Sequence, residues 1–292
     1  MTPAGADAKS LLFVGLACML ALYVFTIVRG GLVRPTWFQT VVGFVTAFLD
    51  TLGIGSFATT TAVFKLRNMV PVELMPGTLN LGHALSTITQ SFIYTQLVPV
   101  DSTTLVLMIG AACVGSWVGA GVVVHWPRRK IQIGMGLALL GAAALMVMTQ
   151  LQWLPGGGNT LDLRGWRMVI GLGGNFALGV LMMLGIGLYA PCMILVSLLG
   201  MNPTAAFPIM MGSCAFLMPT SGVKFARTKT YHPQAAIGLA LGGLPAVLLA
   251  AYVVKSLPLG AVRWLVVAVV VYTSINMLMT ARPEVEKAKV DA

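Results

Sequence analysis

The stretch LDTLGIGSFATTT, residues 49–61, decides how this chain is read. It sets an acid, two glycines and five hydroxyl residues inside one of the most apolar parts of the sequence. Asp50 is the only acidic residue between Asp7 and Glu73. A carboxylate beside a Gly-Ile-Gly break needs a reason in such surroundings.

The surroundings are apolar throughout. Of 292 residues, 58% are hydrophobic and 9% are charged, against about 25% charged in soluble domains. Several apolar runs reach the roughly 20 residues that a bilayer-crossing helix needs. The expected class is an all-α polytopic membrane protein whose bulk partner is the lipid bilayer. Its 33 glycines suit closely packed membrane helices. The formal net charge of +10 comes from Lys and Arg at the ends of the apolar runs. There they act as topology signals rather than as a nucleic-acid surface. Cys18, Cys113, Cys192 and Cys214 show no C-x-x-C spacing. That spacing indicates neither a disulfide framework nor a metal site.

Apolar segments lie at 11–28, 36–64, 76–98, 103–124, 131–151, 168–199, 203–223, 234–254 and 260–280. HWPRRK (125–130), LPGGGNTLDLRGWR (154–167), KFARTKTYHP (224–233) and KSLPLG (255–260) separate the later ones. Before the first segment stand Asp7 and Lys9, with no net positive charge, and Arg29 and Arg34 follow it. An uncleaved span with its N-terminus outside is expected rather than a signal peptide.

The opening motif has a copy. Leu52-Gly53-Ile54-Gly55 matches Leu184-Gly185-Ile186-Gly187 at an offset of 132. The same offset pairs Pro71 with Pro203, Pro76 with Pro208, Phe44 with Phe176 and Met69 with Met201. Gly/Pro-interrupted segments at corresponding places in two membrane halves point to a transporter site.

Charge distinguishes two topologies. If every segment crosses once, Lys and Arg divide 8 against 10. If 36–64 and 168–199 are re-entrant hairpins, they divide 13 against 5, a positive-inside distribution. At 29 and 32 residues these segments also exceed one crossing. Kinked full spans are the alternative. The expected fold has seven crossings and two hairpins. Residues 1–35 form an extra N-terminal transmembrane helix. Residues 36–151 and 168–280 form two inverted repeats, each a re-entrant helical hairpin plus three transmembrane helices. Residues 152–167 connect them, and 281–292 form a charged, disordered tail. The C-terminus is expected on the cytoplasmic side of the membrane.

A hairpin tip at mid-membrane survives only where protein or a polar cavity surrounds it. The half-helix after it offers free N–H groups and a positive dipole end, which suit an anion. Gly53, Gly55, Ser56, Thr59 and Thr60, with Thr61, are the first-half candidates for substrate binding. Gly185, Gly187 and Tyr189 are those of the second half. The structural alternative is that the glycines only pack helices and the hydroxyls bond their own i−4 carbonyls. An acid at a helix centre costs about 2.5–3.5 kcal/mol on insertion scales and marks a proton or ion pathway by default. Asp50 is therefore a proton-coupling candidate, the alternative being a structural partner bonded to backbone N–H groups or Thr51. After Pro76 come Asn80, His83, Ser86, Thr87, Thr89 and Gln90. Asn80, His83 and Thr87 share a helix face. Asn80 is assigned to substrate and His83 to coupling. Ser213 is a thinner second-half candidate, with Cys214, Thr220 and Ser221 beside it; Asn175 is weaker still. Lys224 is expected to snorkel to the interface.

No catalytic set, metal spacing or phosphate loop stands out. The chain is expected not to be an enzyme and to need no cofactor or metal. GFVTAFLDTLGIGSFATTT, PVELMPGTLNLGHALS and LGIGLYAPCMILVSLLGMNPTAAFPIMMGSCAF resemble the sulfite exporter TauE/SafE family of anion transporters over about 36–280. That resemblance implies movement of sulfite, organosulfonates or related anions across the inner membrane by alternating access of two halves. A carboxylate or other organic-anion permease is the alternative, with a membrane enzyme or an assembly subunit behind it. Protons or another coupling ion complete the expected partners; a homodimer is left open.

Overall fold

The computed structural model describes residues 3–153, 157–185, 187–252 and 260–281. Among the described residues the chain is all-helical, with one isolated backbone bridge between Thr160 and Met201. Its helices are α1 (Pro3–Gly30), α2 (Trp37–Thr51), α3 (Ser56–Leu66), α4 (Met75–Leu97), α5 (Ser102–Val123), α6 (Arg128–Gln150), α7 (Trp166–Met182), α8 (Tyr189–Leu198), α9 (Ala206–Arg227), α10 (Pro233–Tyr252) and α11 (Gly260–Met279). Short 3-10 turns, Val72–Leu74 and Pro203–Ala205, precede α4 and α9.

Five described stretches are long and apolar enough to cross a membrane: Ser10–Gly30, Ser102–Val123, Arg128–Gln150, Pro203–Arg227 and Pro233–Tyr252. Their outer faces carry large apolar side chains such as Leu11, Val114, Leu137 and Leu241, all exposed. This suits a hydrocarbon environment and fits a membrane protein. Burial tells which spans are central. The Pro203–Arg227 span is 78% buried over its most apolar window, the Ser10–Gly30 span 28%. At the centre α9 packs against α4. α4 is as long as a span but carries Asn80, His83, Ser86, Thr87, Gln90, Ser91 and Thr95, all buried. Protein surrounds it, so it tolerates polar groups that a lipid-facing helix does not.

Helix ends follow local chemistry. Thr36 and Gln39 form a reciprocal capping box at the start of α2. Asp101 accepts from the Thr104 N–H at the start of α5. α2 ends in a paired-bond turn: Gly53 N–H donates to Asp50 O and Ile54 N–H to Leu49 O. Gly53 has φ +85° there, and Gly185 (φ +89°) ends α7 with its N–H on Met182 O. Both positions need the left-handed backbone that glycine adopts freely.

α2 packs along α10 and α5 along α7. α6 pairs with α11, tied by Gln132 Nε2 donating to Met277 O and by Ser274 Oγ donating to Gly136 O. The connecting loop is anchored as well: Asn202 N–H donates to Thr160 O, and Asp101 N–H to Leu161 O. Residues 154–156 of that loop and 282–292 of the charged tail lie outside the described residues.

Candidate functional site

Both helix breaks open on one cavity. Asp50, Gly55, Ser56 and Phe57 line it from the first, and Met182, Gly187, Leu188 and Tyr189 from the second. Cys214 and Met218 of α9 complete the wall. A methyl group placed on Gly187 would stand 3.9 Å from Cβ of Phe57, so the two breaks lie side by side. Ile186, the middle of the second copy, lies outside the described residues. The cavity measures about 10 Å³, room for one water molecule.

Asp50 stands at its edge, 3% exposed. Oδ1 accepts from the Ser56 N–H at 2.6 Å, and Oδ2 accepts from Gln90 Nε2 at 3.0 Å. Ser56 is the first residue of α3, and α3 has no side-chain cap at its preceding residue, Gly55. Asp50 supplies the missing acceptor from across the break, where the helix dipole favours an anion. Gln90 also donates to Thr51 Oγ1 at 2.9 Å and accepts from the Tyr189 hydroxyl through Oε1. Tyr94 donates to Thr51 O at 3.2 Å. One buried network thus joins α2, α3, α4 and α8. Tyr189→Phe should leave Gln90 Oε1 without its donor. The expected loss is about 1–3 kcal/mol of stability, read as a lowered thermal transition in detergent.

Among the described residues the start of α8 has no comparable cap. Leu188 precedes it and makes no side-chain bond.

The other expected site residues divide. Gly53, φ +85°, shapes the first break, and Gly185 the second; neither lines the cavity. Thr59 Oγ1 donates to Gly55 O and Ser56 O, so its proton is used within its own helix. Thr60 Oγ1 pairs with His83 Nε2 at 2.9 Å, and Thr61 Oγ1 has no partner among the described residues. His83 is buried behind Phe57, with ring centroids 6.1 Å apart, and is not part of the cavity wall. Asn80 donates to Pro76 O and accepts from Ser221 Oγ, while Ser213 accepts from Asn175 Nδ2. Asn175 also donates to Met108 O, which ties α7 to α5. None of Asn80, Ser213 and Asn175 lines the cavity. Lys224 lies over the Trp117 ring and donates to Trp117 O.

Gln90 is the residue that the sequence reading left aside. Its signal was present: it continues the Asn80, His83, Thr87 stripe by the same helical spacing. Cys214 stood beside Ser213 in the second-half cluster, whereas Met182 and Met218 had no such signal, being sulfur residues in apolar runs.

No family model, no curated protein and no solved structure matches this chain.

Proposed function

We propose that this chain is a secondary transporter for a small anion, with the cavity between the two helix breaks as its substrate site. The observation that carries this is the Asp50 carboxylate seated on the Ser56 N–H at the start of α3. That N–H accommodates an oxyanion, and its present occupant is part of the protein. A substrate anion and the charged carboxylate compete for it. A proton on Asp50 weakens the carboxylate's hold and lowers the repulsion toward an incoming anion. Binding of anion and proton are thereby linked, and transport is coupled to protons through Asp50. The one-water cavity is then a closed conformation that opens to either side in turn.

The proposed architecture is two inverted repeats after an N-terminal transmembrane helix. The starts of α7, α8, α9, α10 and α11 follow those of α2–α6 by a spacing of 132 within three residues, which supports it. So do the packing partners. Exchanging the halves turns α2 on α10 into α7 on α5, and α4 on α10 into α9 on α5; α4–α9 and α6–α11 map onto themselves. With α2–α3 and α7–α8 as re-entrant hairpins, three crossings remain per half, an odd number, so the halves are inverted. The positive-inside charge division supports a cytoplasmic C-terminus, and the inner membrane is the location that the resemblance to sulfite exporters implies.

Sulfite, an organosulfonate or a related sulfur oxyanion is the proposed substrate class, in keeping with the resemblance to sulfite exporters. A carboxylate is the second reading. One observation favours it: the group on the Ser56 N–H is itself a carboxylate. Uptake of labelled sulfite, sulfonates and carboxylates into proteoliposomes separates the two. Flux of sulfur oxyanions supports the first, flux of carboxylates alone the second, and absence of all protein-dependent flux ends both.

His83 is a less direct coupling group, because its ring is walled off by Phe57. His83→Gln keeps an acceptor or donor for Thr60. It is expected to leave the pH profile of flux unchanged, with transport reduced no more than about threefold. A flattened profile would move the coupling role to His83.

A further inference from the structure

The cavity has a second wall that anion binding does not use. Met182, from the last turn of α7, and Cys214 and Met218, from α9, face it together with Asp50 and Tyr189. Cys214 and Met218 are four residues apart on one helix and share a face. Cys214 Sγ lies 3.9 Å from Met182 Sδ, and Met218 Sδ accepts from Thr87 Oγ1 at 3.4 Å. All three side chains are at most 1% exposed.

We propose that this cavity binds a soft monovalent metal cation, Cu(I) or its redox-inert counterpart Ag(I), through the Cys214 sulfur and the thioethers of Met182 and Met218. The donor type selects the ion: thiolate and thioether ligands suit Cu(I), and hard cations prefer oxygen. Spacing agrees. Metal–sulfur bonds of about 2.3 Å in a trigonal arrangement place the sulfurs about 4 Å apart; the Cys214–Met182 pair stands at 3.9 Å, and Met218 joins them by turning its thioether from Thr87. Size agrees too, because the closed cavity of about 10 Å³ has room for one water-sized occupant, which a single ion can replace. Charge completes the case: a Cys214 thiolate balances one positive charge, and the Asp50 carboxylate borders the same space. On binding, the thiol proton leaves for solvent as the metal–sulfur bond forms, with no change of oxidation state.

Residue spacing could not reveal such a site, since its donors stand at 182, 214 and 218. Among the described residues no three of His, Cys, Asp and Glu cluster as metal ligands. Two of the three donors proposed here are thioethers. The proposal does not depend on anion transport.

The test is anaerobic titration of the purified full chain in detergent with Cu(I) against a chromophoric Cu(I) chelator. One ion per chain is expected, with an X-ray absorption first shell of sulfur alone. Cys214→Ser and Met182→Leu nearly conserve volume. Each is expected to weaken capture at least about tenfold, the scale on which even outer-shell changes weaken metal sites. Cys18→Ser, at an exposed thiol, is expected to change nothing. Metal-free thermal transitions check that each variant is folded; if Cys214→Ser is not, Met182→Leu decides. No capture by the unsubstituted chain, or capture that survives Met182→Leu undiminished or is lost in Cys18→Ser, overturns the proposal.

Discussion

Asp50→Asn is expected to abolish the pH dependence of anion flux while the protein stays folded. In the unsubstituted chain, flux should rise as pH falls on the side from which substrate loads. Protonation there loosens the carboxylate's hold on the Ser56 N–H, and deprotonation restores it. The asparagine oxygen can still accept that N–H, but its amide carries no charge at any working pH. Its nitrogen would meet Gln90 Nε2, and Gln90 can turn its amide over to present oxygen instead, with the Tyr189 hydroxyl then accepting. The other titratable groups near Asp50 are Tyr94, Tyr189 and Cys214. Tyrosine and cysteine ordinarily ionise above about pH 8, so among these groups a dependence on the acid side belongs to Asp50, and His83→Gln tests the imidazole separately. Asp50→Ala should behave differently. It leaves the Ser56 N–H without an acceptor and removes one of two acceptors from Gln90, at a cost of about 1–3 kcal/mol in stability. Flux assayed in proteoliposomes across a pH series checks the first expectation, and thermal unfolding in detergent checks the second. An unchanged pH profile in Asp50→Asn would remove Asp50 from coupling.

Gly242→Ala is expected to destabilise the protein by at least about 1–3 kcal/mol, the usual cost of overpacking a tight contact. The added methyl would stand 1.9 Å from Thr40 O and 2.7 Å from Phe44 N. Both are backbone atoms of α2, so no side chain can swing aside and the helices must part. The α5–α7 contact has the same construction: a methyl on Gly115 would stand 2.0 Å from Phe176 O, and one on Gly179 2.3 Å from Ala112 O. Gly110 supplies the comparison, with nothing within 4 Å of an added methyl. Gly110→Ala should gain about 0.5–1 kcal/mol, because glycine is a poor helix residue. Equal thermal transitions for Gly242→Ala and Gly110→Ala would deny that close backbone approach holds α2 to α10.

The two helix breaks show what the sequence made legible. Gly53 and Gly185 announced their breaks, because two matching Leu-Gly-Ile-Gly motifs in apolar runs have few other uses. The order of the helices followed from hydropathy and from the charged and Pro-rich breaks. Asp50 stood out by its isolation, and in the fold it accepts from the Ser56 N–H. Its partners were harder to see. Ser56 lies six residues on, outside the capping-box spacing, and Gln90 lies on another helix. The hydroxyls of Thr59 and Thr60 looked like ligands in a list of residue types. In the fold one bonds its own helix and the other His83, a distinction that depends on rotamers and neighbours. Asn80 and Ser213 likewise face helix partners on α9 and α7 rather than the cavity. The sulfur wall was illegible for a different reason. Met and Cys are ordinary core residues, and only the fold brings the end of α7 and two residues of α9 to one space.

The most direct test of the central claim is the accessibility of Ser56 from the two sides of the membrane. Ser56→Cys, in a chain whose native cysteines are replaced by alanine, places a thiol at the start of α3 with little change in volume. A membrane-impermeant thiol reagent applied in turn to each face of oriented vesicles reports when that position meets water. A transport site that opens alternately predicts reaction from both faces, slowed by the transported anion. Protection from both faces under all pH and substrate conditions would instead make the cavity a sealed structural core, and would contradict the account.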